Sequence, residues 1–580
     1  MMDSVPRLLL LEFFPGALQR NERSLLFPFL KGLARRRGVP ARWVCFGKDP
    51  AQAQREPGGR GLELGEADLR ALAAELARFR PTHIISSEPL AGAARRCLES
   101  AGPQPAFVVM GVPGSRRRIP GAPGTDPRPA FVVMRVPGSG SPVVEPSSMV
   151  MVSRPADRRY FAKCGWLLDW LGVAAPSLER GWLIESVEPD YGAKMANEAA
   201  RSSRAHLTIV SGVLCANRRL VRANPLFRRA LRPAASPAEE PRGCAFCDSR
   251  REALTSPGAD LLALVEKQFR GILKTAGRKG RDHGLYEFYD IRAFLRFDEV
   301  FAVVLRLGLP PSVFLFNPRI DDVLRARKRI ARALPGLARA GHEVRILSMG
   351  IENFSERENA RFNKHISAAQ VDQLLALSDE WERDYPGVFR PFKGGRDMKE
   401  FGFILFTPWT TLADLRINLE AAARRRFGER GYWLYSTLII YRDNPMFFLA
   451  RRDGKVLVKR FPDRGQVYGL VKNEDNPSDV AAWRFKDACT AEYFSVLVRV
   501  CAADREGRGC AFFKGDRDFE LALGLYERVN QRVRVSPLAV AFALLEALEA
   551  KPRPRSRTEL LRRALAKAVL KADAEKRCRA

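Results

Sequence analysis

Six short apolar runs, separated by longer amphipathic stretches, constrain the fold of this chain more than any other feature. They cover residues 206–212, 285–291, 312–319, 343–353, 401–408 and 433–441. Each has the length of a strand and is rich in β-branched or aromatic residues. The stretches between them carry helix signals. A helix near 259–275 precedes the second run, and Asp321-Asp322 opens another that Gly341 closes. Ser367-Ala-Ala-Gln370 is a capping box ahead of Val371, Leu374 and Leu375, and Thr411-Leu-Ala-Asp414 is a second ahead of Leu415 and Leu419. Strands that alternate with helices lie parallel, because each helix carries the chain back to the starting edge. The pattern therefore predicts a partial, six-strand parallel barrel over 205–441. In such barrels the site forms at the carboxyl ends of the strands, which here bear Asp290, Asn317, Arg319, Glu352, Asn353, Thr407 and Tyr441.

After the first run comes Arg242-Gly-Cys-Ala-Phe-Cys247, where two of the ten cysteines stand at chelating distance. Cys244 and Cys247 face one point if the intervening residues turn, and a pair of thiolates grips a soft metal centre. Two sulfurs complete no common site, so further ligands must come from elsewhere. Zinc would need a second pair, and Cys489, Cys501 and Cys510 are not spaced as one. The remaining cysteines, Cys45, Cys97, Cys164, Cys215 and Cys578, are isolated. In a chain of 580 residues this predicts reduced thiols in place of a disulfide framework.

Ahead of the barrel, strands are expected at 8–14, 42–46, 83–87 and 106–110, with helices near 23–36 and 66–80 and another between the last two strands. This is the alternation of a doubly wound, Rossmann-like sheet, assigned here to residues 1–154. Such sheets bind ligands beyond the carboxyl ends of their strands; the Gly-rich dinucleotide fingerprint is absent. Pro105-Ala-Phe-Val-Val-Met-Gly-Val-Pro-Gly-Ser115 returns at Pro129-Ala-Phe-Val-Val-Met-Arg-Val-Pro-Gly-Ser139. One copy is expected to pair in the sheet, the other to sit in an irregular Pro/Gly-rich insertion at 111–145. Residues 155–204 read as a helical connector with Trp166, Leu167, Trp170 and Leu171 on one face. The apolar run at 8–14 lacks a small-residue cleavage site, and no run approaches the twenty or so residues of a membrane helix, so a cytoplasmic protein with no membrane partner is expected.

Three segments within 206–441 resemble the radical S-adenosylmethionine (radical SAM) enzyme superfamily. Gly350-Ile-Glu-Asn-Phe-Ser355 with Arg361-Phe-Asn-Lys364 and Ile366-Ser367 is similar to its mid-barrel segment. Gly402-Phe-Ile-Leu-Phe-Thr-Pro-Trp-Thr-Thr411 with Leu415 and Asn418-Leu419 is similar to the next strand and helix. Cys244-Ala-Phe-Cys247 matches the last half of the Cys-x-x-x-Cys-x-aromatic-Cys signature. The resemblance implies a 4Fe-4S cluster on three thiolates, its fourth iron open to S-adenosylmethionine. Reductive cleavage would give a 5′-deoxyadenosyl radical, with an electron donor such as flavodoxin or ferredoxin. It implies S-adenosylmethionine contacts among Glu352, Asp290, Arg319, Asn317 and Thr407. The signature's first position falls on Glu240, a hard oxygen donor; Cys215, just after the first barrel strand, is the alternative third ligand. The sheet ahead of the barrel fits the members that carry a cobalamin-binding domain, which implies methyl transfer to a small-molecule or peptide substrate. The Asp-x-His-x-x-Gly cobalamin motif is missing, and His83 is the one histidine on an N-terminal strand. A barrel that has lost its cluster and survives as a scaffold, holding an anionic partner, is the alternative.

Residues 442–580 are expected to be mostly helical, with helices near 518–529 and 537–550 closing the barrel. The formal charge of +31 is partly local, since residues 551–580 hold eleven Lys/Arg against three Asp/Glu. There Leu561, Leu565, Ala568 and Val569 form a helical stripe with Arg562, Arg563, Lys567 and Lys571 on other faces. No nucleic-acid-reading motif accompanies the charge, and a solvated surface accounts for it.

Overall fold

The structure, a computed structural model, describes residues 6–15, 26–48, 64–86, 97, 106–110, 131–134, 182–196, 206–212, 217, 219–231, 240–247, 255–256, 258–276, 284–288, 292–346, 349–390, 402–428, 432–442, 444–456, 480–503, 517–533, 535–550, 554 and 556–579. Two largely parallel sheets carry the fold. In the first, six strands lie in the order β5-β4-β3-β1-β2-β6. These are β1 Leu8–Pro15, β2 Ala41–Lys48, β3 His83–Ser86, β4 Ala106–Met110, β5 Phe131–Met134 and β6 Lys194–Met195. β1 opens on four leucines because both its faces are covered. Leu8 and Leu10 join a buried cluster with Phe27, Leu30 and Trp43, while Leu9 and Leu11 join another with Leu72, Leu76 and Ile84. A continuous apolar run is what a strand between two helical layers requires. The helices Phe27–Arg36 and Glu66–Phe79 supply those layers.

Two expectations for this region are corrected. Both copies of the duplicated segment enter the sheet: β4 and β5 pair antiparallel, with Val108 opposite Val133 and Val109 opposite Val132. An antiparallel neighbour needs only a chain reversal and no crossover helix, so a second copy of a good strand can pair directly with the first. Lys194–Met195, read as part of a helical connector, is instead the edge strand beside β2. Trp166, Leu167, Trp170 and Leu171 lie outside the described residues.

The second sheet has five parallel strands, β7 His206–Ile209, β8 Leu285–Phe288, β9 Val313–Phe316, β10 Glu343–Ile346 and β11 Phe389–Arg390, in the order β11-β10-β9-β8-β7. Side chains alternate across it. Tyr286, Phe288, Phe314 and Phe316 meet the helical layer, where Phe301 stands edge-on to Phe314 at 5.1 Å and Phe269 edge-on to Tyr286 at 5.2 Å. Glu287, Leu315 and Arg345 share the opposite face.

The last two expected strands are not ladder strands. Residues 401–408 and 433–441 contribute single parallel bridges, Glu352 with Phe403 and Phe406 with Thr437. Side chains take over the backbone hydrogen bonds there: Leu405 N–H donates to Ser436 Oγ at 3.0 Å, and Thr407 N–H to Thr410 Oγ1 at 2.8 Å. Tyr432–Tyr435 is a 3-10 turn, and β12 Ile440–Tyr441 pairs antiparallel with β13 Val480–Ala481. The strand beside β10, β11, has two residues, too few for a periodicity to show.

Beyond this sheet the helices Ala488–Ala503, Arg517–Val533, Pro537–Glu549 and Arg557–Arg579 follow. In the last, Leu561, Leu565 and Ala568 are buried, while Arg562, Lys567 and Lys571 face solvent. No helix among the described residues is long and apolar enough to cross a membrane.

Candidate metal and cofactor site

The Cys244–Cys247 turn is held on every side by backbone. Gly243 sits at φ +87, a conformation side chains rarely adopt, and its N–H donates to the Arg219 carbonyl at 2.8 Å. The turn closes with Cys247 N–H to the Cys244 carbonyl at 3.3 Å. Ala245 N–H reaches the Phe362 carbonyl at 2.8 Å, and the Asn363 and Asn444 amides donate to the carbonyls of Gly243 and Phe246, both at 2.8 Å. Phe246, the aromatic residue of the motif, packs edge-on against Phe362 at 5.2 Å. The turn is thus wedged between the end of helix Glu356–Phe362 and the start of helix Pro445–Arg452.

Cys244 is buried and Cys247 half-buried. The Cys244 sulfur accepts from Arg319 Nη1 at 3.2 Å and from Asn217 Nδ2 at 3.5 Å. Arg319 follows β9 and is itself fixed, donating Nη2 to the Lys364 carbonyl at 2.8 Å and Nε to Asp321 at 2.9 Å. Burial pushes the Cys244 thiol above its usual range, against the pull of the Lys364 and Arg319 cations. A metal that bound there would take the place of the proton.

Next to the sulfur lies a buried ion pair, Lys364 Nζ to Glu352 Oε1 at 2.5 Å. Two glycines make room for it. A Cβ on Gly350 would stand 1.9 Å from Glu352 Oε1 and 2.0 Å from Lys364 Nζ, and one on Gly402 would stand 3.2 Å from Gly350 Cα. Glu352 itself is left-handed, φ 65, pinned by its N–H on the Gly402 carbonyl at 2.8 Å and its carbonyl on Ile404 N–H at 2.7 Å. A non-glycine residue held there stores roughly 1–3 kcal/mol, and such strain concentrates at functional sites. Arg345, on β10, grips Glu343 with two bonds at 2.6 and 2.7 Å.

The other sequence candidates divide by place. Asn317 donates to Glu287 Oε1 at 2.8 Å across the polar face of the sheet. Asn353 ties the loop after β10 to helix Leu412–Arg424: Asn418 donates to its side chain at 2.8 Å, and Ser355 Oγ reaches Asp414 at 2.7 Å. Thr407 is fully buried, its hydroxyl on Glu358 Oε2 at 2.7 Å; burial also raises the Glu358 carboxyl, despite Arg361 beside it. Tyr441 lies in β12, outside the second sheet. Asp290 and Cys215 lie outside the described residues. Glu240 accepts from Arg222 at 3.0 Å. His83 begins β3 and so stands at the amino edge of the first sheet, its Nδ1 2.9 Å from Thr82 Oγ1. Lys364, Glu287 and Asn217 were not singled out by sequence. For Glu287 the signal was a charge in the middle of an aromatic strand.

A 4Fe-4S cluster requires three soft ligands. The described residues supply two thiols on one turn, with the Arg319 and Lys364 cations beside the Cys244 sulfur. No group of three His, Cys, Asp or Glu suited to a metal ion occurs among the described residues. The donor chemistry of the two thiols fits a cluster in kind.

No family model and no curated protein matches the chain. Among solved structures it is similar to the apo, selenomethionine-labelled cobalamin-dependent S-adenosylmethionine radical enzyme OxsB, at 13% identity over 99% of this chain and 81% of that one, TM-score 0.46. It is similar to the same enzyme with aqua-cobalamin bound, at 13% identity, 99% and 81% coverage and TM-score 0.45. With aqua-cobalamin and S-adenosylmethionine bound the values are 12%, 99%, 80% and 0.44. The three structures are of one enzyme. Likeness at this level leaves the reading of the site to the chain's own residues.

Proposed function

We propose that this chain is a radical S-adenosylmethionine enzyme whose cluster is held by Cys244, Cys247 and Cys215, with the second sheet and its two bridged segments forming a partial barrel. The observation that carries this reading is the buried Cys244 sulfur on a rigid Cys-x-x-Cys turn, hydrogen-bonded by Arg319 beside the Lys364–Glu352 pair. When bound, such a cluster supplies the electron that splits the sulfonium C–S bond of S-adenosylmethionine. The chain's own part is positioning. Arg319 and Asn217 orient the Cys244 sulfur and favour its thiolate. Lys364 holds the Glu352 carboxylate in one direction, and Glu352 with Asn317 offers polar contacts to the polar end of S-adenosylmethionine. Asp290 remains a further candidate contact. Thr407 supports that region from beneath through Glu358, and Arg319 acts on the sulfur before any substrate.

The first sheet is assigned to cobalamin binding beyond the carboxyl ends of β1, β2 and β3. None of the described histidines stands at those ends, so a corrinoid there would be held by other side chains. Methyl transfer to a small-molecule or peptide substrate, with flavodoxin or ferredoxin as electron donor, completes the reading.

Anaerobic reconstitution with iron and sulfide tests it. The expected product is a brown protein with about four irons per chain that cleaves S-adenosylmethionine to 5′-deoxyadenosine and loses its iron in Cys244→Ala, Cys247→Ala and Cys215→Ala. Retention of iron in Cys215→Ala would move the third ligand to Glu240. A colourless protein after reconstitution would sink the enzyme and leave the cluster-deficient scaffold. A corrinoid spectrum absent after incubation with cobalamin would remove the assignment of the first sheet.

A further inference from the structure

A cleft of about 1030 Å³ opens between the first sheet and helix Leu261–Ala276. Its walls come from three distant stretches: helix Phe27–Arg36 with the start of β2, the loop through Asp190 to β6, and the last turns of helix Leu261–Ala276. The first residues of β2 and the ends of both helices lie at the amino edges of their sheets, because a helix that links parallel strands runs back against them. Cys244, bonded to Arg319 just past β9, lies at the carboxyl edge of the second sheet. The cleft is therefore a separate place on the molecule.

Its lining is cationic. Lys31, Arg35, Arg36, Arg42, Lys194 and Lys274 all contribute. Three carboxylates meet them: Asp190 binds Lys31 at 3.0 Å and also Arg35, Glu75 binds Arg42 at 2.9 Å and also Lys194, and Glu188 binds Lys274 at 3.1 Å. Arg36 donates to the Ser186 carbonyl at 3.0 Å. Asp190 and Glu75 are each shared between two of these cations, so among the described residues the positive groups outnumber the carboxylates that meet them, and a cleft of one sign concentrates counter-ions. The volume is at the upper end of small-ligand sites, roughly 300–1,000 Å³. The aromatic residues on its wall are withdrawn, Trp43 at 1% and Tyr191 at 5% exposure, with the Trp43 ring edge-on to Phe27 at 6.2 Å. Among the described residues, no ring face is presented for a base to stack on.

We propose that this cleft binds a small, multiply phosphorylated anion, recognised through its phosphates. The ligand would bridge helix Phe27–Arg36 and helix Leu261–Ala276, and so couple the first sheet to the layer that packs on the second. The site does not depend on the cluster, so it stands or falls apart from the proposed chemistry.

Titration calorimetry with inorganic tripolyphosphate, at ionic strength matched with sodium sulfate, tests the proposal on the full chain. One saturable site per chain is expected. Arg36→Gln combined with Lys274→Gln should weaken it at least tenfold, while Arg562→Gln with Lys567→Gln and Lys571→Gln in the last helix should leave it unchanged. ATP should bind as tightly as tripolyphosphate. Lys274→Gln alone, on a side chain 69% exposed, serves if the double variant does not fold; it should weaken binding at least threefold. Absence of saturable binding, equal weakening by the last-helix variant, or ATP binding tenfold more tightly than tripolyphosphate would each overturn it.

Discussion

In the first sheet β1 has leucines on both faces, in two different apolar clusters, whereas in the second sheet β8 and β9 give phenylalanine and tyrosine to the helices and Glu287, with Asn317 just past β9, to the other side. A strand covered twice has no face left for chemistry, and any ligand must approach its ends. In the second sheet the other face is buried too, Glu287 at 8% and Leu315 at 4% exposure, but it carries polar groups, and the Cys244 turn, Arg319, Lys364 and Glu352 gather at the end of that polar face. The two sheets are both largely parallel and differ in what their second face carries, apolar side chains in one and polar ones in the other. This difference separates structural burial in one from a built polar site in the other.

Gly350→Ala should have the largest effect. The added methyl overlaps both members of the Lys364–Glu352 pair, and separating buried charges costs about 3–5 kcal/mol. Hydrogen exchange should show the loss in segments 349–364 and 402–407 and leave β1 and β2 protected; loosening of the first sheet to the same degree would erase the contrast. Leu10→Ala is the converse experiment. It opens a cavity in a fully buried cluster, at about 3–4 kcal/mol. Exchange should then rise in β1, β2 and helix Phe27–Arg36, and urea unfolding should show the first sheet melting earlier. If segments 349–364 opened equally, the two sheets would be one cooperative unit.

The part of this contrast legible in the sequence was the part written in periodicity. The four leucines of β1, the capping boxes at Ser367 and Thr411, both formed as expected, and the stripe of the last helix are local patterns, and local patterns survive folding. The β4–β5 pairing could not be read, because whether a repeated strand joins its twin depends on sheet-edge availability, a non-local property. Residues 401–408 have strand composition, yet Ser436 and Thr410 take backbone N–H groups that a neighbouring strand would otherwise receive. At the site, Cys244, Glu352 and Arg319 stood out as chemistry-bearing residues. The Arg319 bond to sulfur and the glycine-lined space for Lys364 did not, since the first joins residues 75 positions apart and the second needs Gly402 to close on Gly350.

The smallest effect concerns one buried carboxylate on a helix beside each sheet, Glu75 in helix Glu66–Phe79 and Asp322 in helix Ile320–Arg339, which are shifted in opposite directions. In the first, burial would raise Glu75, but Lys194 and Arg42 on either side bring it below its ordinary value. Its stabilising contribution is present above the unfolded value and is lost as pH falls through the folded one. In the second, burial and then Asp321 push Asp322 up to about 6, with Arg325 and Arg319 offsetting only part. A folded state that binds the proton more tightly loses stability as pH rises between the ordinary aspartate value and 6, and the deficit persists above. About two units correspond to roughly 2–3 kcal/mol. Asp322→Asn keeps the shape and removes the titration, so urea midpoints measured from pH 4 to pH 7 should fall for the parent chain and stay level for the variant. Parallel curves would mean that Arg325 neutralises Asp322 completely, and the polar end of the second sheet would then be no more costly to charge than the first.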